Sequence, residues 1–285
     1  METEERLNLG SDDSESILRK LVPYQIIDCL KVSDLNTSYL CLDPQTNQNI
    51  LAKISTDTDE TRQLKNEFEL LSLIWRTDDP GAKYFPRPIQ FIAAESDNEP
   101  SIFLRSFISG KSIETLVESQ PEKPGLVRGE AIRYTIDVLK GLSFLHSQNP
   151  PIIHRDIKPQ NVIVDEQGNC FLIDMGISRI FHKNNEADTR VAGTRAIAPP
   201  EQFGYSQTDV RSDIYSVGVL LRYCLTGDYK KRSDESLDED IRKIIQKATR
   251  FDPDQRYQNT GDMIRALENL QKNGIRKLFS NLFQH

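Results

Sequence analysis

Short apolar stretches of strand length come first along the chain, and longer helical stripes follow. Residues 24–27, 38–42 and 49–54 are apolar runs bounded by polar segments, and Asp43-Pro44-Gln45-Thr46-Asn47 carries turn chemistry between the last two. Ser55-Thr56-Asp57-Thr58-Asp59 then offers helix N-caps, and Leu64, Phe68, Leu71 and Trp75 recur at helical spacing. Two further strands are predicted at 89–93 and 101–107. Past Gly129 the period lengthens, predicting helices over 132–146, 213–225, 237–250 and 260–272. Strands first and helices later describe an α+β chain in two lobes, dividing near residues 106–110.

The ends differ from this patterned body. Six acids (Glu2, Glu4, Glu5, Asp12, Asp13, Glu15) face three bases in the first twenty residues, so residues 1–22 are expected to form a disordered acidic tail. At the other end, residues 271–285 carry Lys272, Arg276 and Lys277 and no acid, while Ile275, Leu278, Phe279, Leu282 and Phe283 fall at helical spacing. Such a segment can lie on a membrane surface or pack as a terminal helix.

Composition narrows the class. With 285 residues, 37% hydrophobic and 28% charged, the chain can bury a real core. It holds no run near the roughly 20 apolar residues of a membrane span, and no apolar stretch follows Met1. A formal charge of −7 argues against a general nucleic-acid binder. Cys29, Cys41, Cys170 and Cys224 are too scattered for a metal knuckle or a disulfide framework, which suits a reducing cytoplasm.

The chemistry concentrates in His154-Arg155-Asp156-Ile157-Lys158-Pro159-Gln160-Asn161, directly after Ile152 and Ile153. A carboxylate, a lysine two residues on and an amide five residues on share one loop. Phe171-Leu172-Ile173-Asp174-Met175-Gly176 then delivers an acid from a strand into a glycine turn. In this order the two stretches resemble the catalytic and metal-binding loops of the eukaryotic-type serine/threonine protein kinases. Ile50-Leu51-Ala52-Lys53 resembles the family's Val-Ala-Ile-Lys strand, and Glu67 sits in the following helix. Residues 193–201 look like the end of the activation segment, 212–218 like the helix whose Asp213 anchors the catalytic loop, and 252–257 like the motif whose Arg256 pairs with Glu201. The resemblance covers residues 23–270, and the Pro200-Glu201-Gln202 ending suggests a bacterial style.

The resemblance implies a bilobal α+β kinase fold: an antiparallel N-lobe with one helix over residues 23–105, a hinge at 106–110, and a mainly helical C-lobe over 111–270. It implies ATP with Mg2+ or Mn2+, and protein substrates. Asp156 would accept the substrate hydroxyl's proton, Lys158 would balance charge on the γ-phosphate, and Asn161 and Asp174 would hold the metal. Lys53, paired with Glu67, would hold the α- and β-phosphates. Ala52 and Ile163 would sandwich the adenine beside the hinge residues Phe107 and Ile108. Leu71, Phe91, His154 and Met175 would stack as an apolar column. Thr189 is the expected regulatory phosphosite, and Thr194 is expected to be structural.

Three departures stand out. The phosphate loop has no glycine: the family's three fall on Lys31, Ser33 and Asn36, with Ser33 and Asn36 left to meet the nucleotide. Asn36 is the residue best able to take the positive φ that glycine would have supplied. Arg105 occupies the position preceding the hinge where an apolar residue is usual, and a buried guanidinium there needs an acid, for which Glu67 and Asp174 are the competing candidates. About 25 residues separate Gly227 from Asp252, so the substrate-docking helix expected there should be absent or reduced to a turn. Lys53, Glu67, Asp156, Asn161 and Asp174 are all present, which favours an active kinase; the alternative is a pseudokinase acting as an allosteric or scaffolding module.

Overall fold

A computed structural model of the chain describes residues 17–76, 79–96, 99–120, 125–181, 197–203 and 207–282, with side chains described only to residue 272 at the C-terminal end. The chain divides into two compact units, Met1–Ile108 and Ser109–His285.

The first unit is a five-stranded antiparallel sheet ordered β1-β2-β3-β5-β4, with β1 at Gln25–Val32, β2 at Thr37–Asp43, β3 at Gln48–Ser55, β4 at Pro88–Ile92 and β5 at Ser101–Ser106. A helix, α1 (Thr58–Trp75), begins where Asp57 accepts hydrogen bonds from the Asp59 and Glu60 amides. Directly opposed residues share a face of the sheet. Lys53 lies opposite Ser38 and Phe103, and Leu51 opposite Leu40 and Arg105. That face meets α1, where the Phe68 ring lies 5.8 Å from Phe103 and 6.0 Å from Phe91. The opposite face carries Tyr39, Cys41, Ile50, Ala52, Ile54, Ile102 and Leu104, which pack with Ile17 and Leu21 into a buried cluster.

This cluster corrects the expected extent of the acidic tail. Residues 17–21 are helical, because Ile17 and Leu21 stand four apart on one helical face and cover the sheet. Lys20 Nζ fastens the turn to Glu99 at 2.7 Å and to the Pro100 carbonyl at 3.2 Å. Residues 1–16 lie outside the described residues.

The second unit is mainly helical. After β6 (Lys111–Ser112) come α2 (Ile113–Glu118) and α3 (Arg128–His146), then β7 (Ile152–Ile153), β8 (Val162–Val164), β9 (Cys170–Leu172) and β10 (Arg179–Ile180). β6, β8 and β9 form one small sheet, and β10 and β7 another. Next come α4 (Val210–Thr226), α5 (Glu239–Ala248) and α6 (Thr260–Leu282). The apolar periods predicted all four long helices. α4 starts earlier than its period suggests because Asp209 and Ser212 form a reciprocal capping box, and it stops at Gly227, whose φ of 68° only glycine adopts without strain.

Between Gly227 and Asp252 no α-helix precedes α5; a 3-10 helix, Lys231–Ser236, occupies the segment and is longer than the single turn expected. Its anchor is the buried Asp234, which accepts from Arg222 Nε at 2.6 Å and Nη2 at 3.0 Å. Among the described residues no helix is long and apolar enough to cross a membrane. The side chains that would carry surface contact along residues 273–285 lie outside those described.

Candidate active site

In the first unit, Lys53 Nζ donates to Glu67 Oε2 at 2.6 Å. Glu67 is fully buried in α1, and a second cation reaches it: Arg105 Nε lies 3.6 Å from Oε1. Arg105 therefore meets Glu67, one of the two acids expected for it, and the Lys53–Glu67 pair stays intact beside it. Strand register is the cause, because Arg105 and Lys53 stand on adjacent strands of the same face.

The same alternation overturns one predicted contact. Ala52 has no exposed surface and belongs to the cluster on the face opposite Lys53, so it cannot touch a ligand beside that lysine. Leu51, two residues from Lys53, lies on its face; the period of two along the strand is the signal that points to it. Ile163, at the centre of β8, is half-buried between the buried Val162 and Val164. Phe107 and Ile108 are half-buried at the end of the first unit, where the Phe107 amide donates to the Asn49 carbonyl at 3.2 Å.

The glycine-free loop is closed on itself. The Ser33 amide donates to the Asn36 carbonyl at 3.0 Å, and the Asn36 amide donates to Ser33 Oγ at 3.2 Å. Asn36 Nδ2 donates to Glu60 Oε2 at 2.7 Å, and Ser55 Oγ donates to the Leu35 carbonyl at 2.6 Å. Among the described non-glycine residues only Asn47 and Arg155 have positive φ, so Asn36 does not take the left-handed conformation expected of it. The predicted nucleotide groups of Ser33 and Asn36 are engaged within the turn instead.

In the second unit one loop gathers the polar residues. Asp156 Oδ2 accepts from Lys158 Nζ at 2.6 Å and from Asn161 Nδ2 at 2.8 Å, and Asn161 Nδ2 also donates to the Asp156 carbonyl at 3.0 Å. The Ile173 amide donates to the Asn161 carbonyl at 3.0 Å, tying this loop to the segment bearing Asp174. Asp174 Oδ1 accepts from the Gly176 amide at 3.1 Å. Asn161 and Asp174 offer hard oxygen donors; among the described residues no three His, Cys, Asp or Glu side chains cluster as a metal site.

Beneath the loop lies Asp213. It accepts from the His154 and Arg155 amides at 2.9 and 2.8 Å and contacts His146 Nε2 at 2.8 Å. Burial alone would raise its pKa; the His146 hydrogen bond, the His146 and His154 charges and the Arg155 amide outweigh burial and hold the carboxyl below its ordinary value. Burial is also the main reason His154 sits below the ordinary imidazole value, and its Nδ1 accepts from the Asp156 amide at 3.3 Å. Arg155 adopts φ 69°, a strained conformation for a side chain of its size. Asp213 holds its amide, and Gln202 Nε2 donates to its carbonyl at 2.8 Å.

Glu201 and Arg256 meet as a buried bidentate pair at 2.6 and 2.9 Å. Sequence reasoning missed His146, Gln202 and the Arg222–Asp234 pair. Gln202 at least stood beside a motif residue, while nothing local marked the others. Thr189, Thr194 and residues 193–196 fall outside the described residues.

Over residues 36–284 the sequence matches the protein kinase domain. It is similar to a protein of Clostridium perfringens described as a probable serine/threonine-protein kinase, at 25% identity over 272 residues, covering 87% of this chain and 38% of that protein. It is also similar to serine/threonine-protein kinase 12 of Arabidopsis thaliana, at 25% identity over 178 residues, 61% of this chain and 36% of the relative. The stress-activated protein kinase alpha of Dictyostelium discoideum is 28% identical over 203 residues, 69% of this chain and 30% of the relative. The chain thus spans less than half the length of these relatives.

Proposed function

The chain belongs to the eukaryotic-type serine/threonine protein kinase family, and from that premise we propose that it transfers the γ-phosphate of ATP to serine or threonine hydroxyls of protein substrates. The observation that carries this reading is the fixed Asp156 carboxylate. Lys158 and Asn161 both bind its Oδ2, so among the described residues Oδ1 is the oxygen left to accept the hydroxyl's proton. Asp213 accepts from the amides of His154 and Arg155, the two residues directly before Asp156, so the base is held by the fold as well as by its neighbours.

Phosphoryl transfer depends on charge stabilisation, and each unit, taken by itself, carries groups suited to it. Lys53, oriented by Glu67, would bind the α- and β-phosphates, and Lys158 would offset charge on the γ-phosphate. Asn161 directs its amide nitrogen at Asp156, so its carbonyl oxygen is the atom suited to a cation, with the Asp174 carboxylate as second donor. Two hard oxygens fit Mg2+ or Mn2+, which draws further ligands from phosphate and water. When bound, the ion would neutralise charge on the β- and γ-phosphates. Leu51 and Ile163, with Phe107 and Ile108, are the residues assigned to the adenine. Cytoplasmic action belongs to this reading, as does membrane-surface contact through residues 271–285; Cys29, Cys41, Cys170 and Cys224 are all free thiols.

A pseudokinase scaffold is the competing reading, and the comparisons do not favour it. Transfer of radiolabelled phosphate from ATP, with magnesium and then manganese, separates the two. Wild type is expected to label itself or a generic basic protein. Asp156→Asn should lower the rate by about 10²- to 10⁴-fold, and Asp174→Ala should abolish labelling. A wild type that neither transfers phosphate nor is thermally stabilised by ATP would sink the enzyme reading.

A further inference from the structure

We infer that Arg105 is a positioning residue for nucleotide phosphate: by approaching the Glu67 oxygen that Lys53 does not use, it releases the lysine to bind the polyphosphate. This rests on the kinase reading and adds a residue to it. Lys53 and Arg105 approach different oxygens of one buried carboxylate, at 2.6 Å on Oε2 and 3.6 Å on Oε1. The side chains of Glu67 and Arg105 are 1% and 3% exposed, and that of Lys53 is 16% exposed. Arg105 is thus too deep to touch a ligand itself, while Lys53 retains a solvent-facing edge.

Charge bookkeeping gives the consequence. Drawing the Lys53 ammonium toward a phosphate takes a cation away from the buried Glu67 carboxylate, and a buried anion that loses cation contact carries a penalty that would weaken nucleotide binding. With Arg105 present, Glu67 keeps a permanent cation, because a guanidinium does not deprotonate. The three groups together carry one net positive charge, which a polyphosphate can neutralise.

The loop supports the same conclusion independently. The Ser33 amide donates to the Asn36 carbonyl, the Asn36 amide donates to Ser33 Oγ, and the Asn36 side chain donates to Glu60, so these two backbone amides are not presented to a phosphate. Phosphate binding in this chain then leans on side-chain charge in the sheet.

Calorimetric titration of the full chain with ADP and with adenosine, for wild type, Arg105→Met and Arg105→Lys, tests the assignment. Arg105→Met is expected to weaken ADP about tenfold and leave adenosine within about twofold, with Arg105→Lys recovering most of the loss. In turnover the same variant should raise the KM for ATP with little change in kcat. A purely structural arginine would shift both ligands alike. Unchanged ADP affinity in Arg105→Met overturns the inference while leaving the kinase reading intact, and a wild type that binds no ADP overturns both. Should Arg105→Met not fold, Arg105→Gln keeps a donor in the cluster without its charge and carries the same expectation and the same refutation.

Discussion

Glu67 and Glu201 are both buried carboxylates facing arginine, yet they are built differently. Glu201 is saturated: Arg256 binds both of its oxygens and Ser212 Oγ donates at 2.8 Å. Glu67 is shared between two cations on separate strands, one of them at 3.6 Å and therefore beyond a good hydrogen bond. A saturated bidentate pair fixes geometry. A carboxylate with a second cation in reserve lets its first partner change allegiance. The contrast separates an ion pair that holds the second unit together from one suited to binding.

The same substitution at both sites tests the contrast most severely. Arg256→Met leaves Glu201 buried without a cation and should destabilise the chain by about 3–5 kcal/mol in denaturant unfolding. Arg105→Met leaves Glu67 with Lys53, so its loss should be about 1 kcal/mol. Equal losses would break the comparison.

Acid unfolding probes a third buried carboxylate. The folded-state pKa of Asp213 lies below its ordinary value, so its contribution is present above about pH 4, the unfolded carboxyl's pKa, and is lost as pH falls through the folded-state value. His154 acts in the same direction at higher pH. Its folded-state value is lowered, chiefly by burial, so below about pH 6.5 the unfolded chain binds a proton that the folded chain resists, and stability falls. Asp213→Asn should lower stability near neutrality and flatten the acid limb in urea melts collected across pH.

Asn36→Ala gives the smallest expected effect. It removes the partly exposed bond to Glu60, for a loss near 0.5–1 kcal/mol, and should barely move ADP affinity because the Ser33 and Asn36 amides are engaged within the turn without that side chain. A large loss of ADP affinity would return phosphate binding to the loop and blur the distinction drawn for Glu67.

Much of this molecule was legible from order and spacing. The loop from His154 to Asn161 places base, lysine and amide within eight residues, so local backbone alone brings them together. The apolar periods marked every long helix, because burying one face of a helix requires that period. Ala52 shows the limit of motif matching when the alternation of a strand is overlooked: one position along β3 moves a side chain from the ligand face to the core. Charge composition masks Ile17 and Leu21, whose burial depends on a sheet formed later in the chain.

By itself the sequence determined the family, the order of strands and helices, and the residues capable of the chemistry, since each rests on neighbours within a turn or a loop. Tertiary structure decided which buried charge neutralises which. Arg105 stands 38 positions from Glu67 and reaches it only because β5 pairs with β3 in a register that puts Arg105 on the face of Lys53. His146 meets Asp213, 67 positions away, only because α3 and α4 pack within the second unit. Buried charges must be compensated wherever the fold brings them, and no local pattern says where that will be.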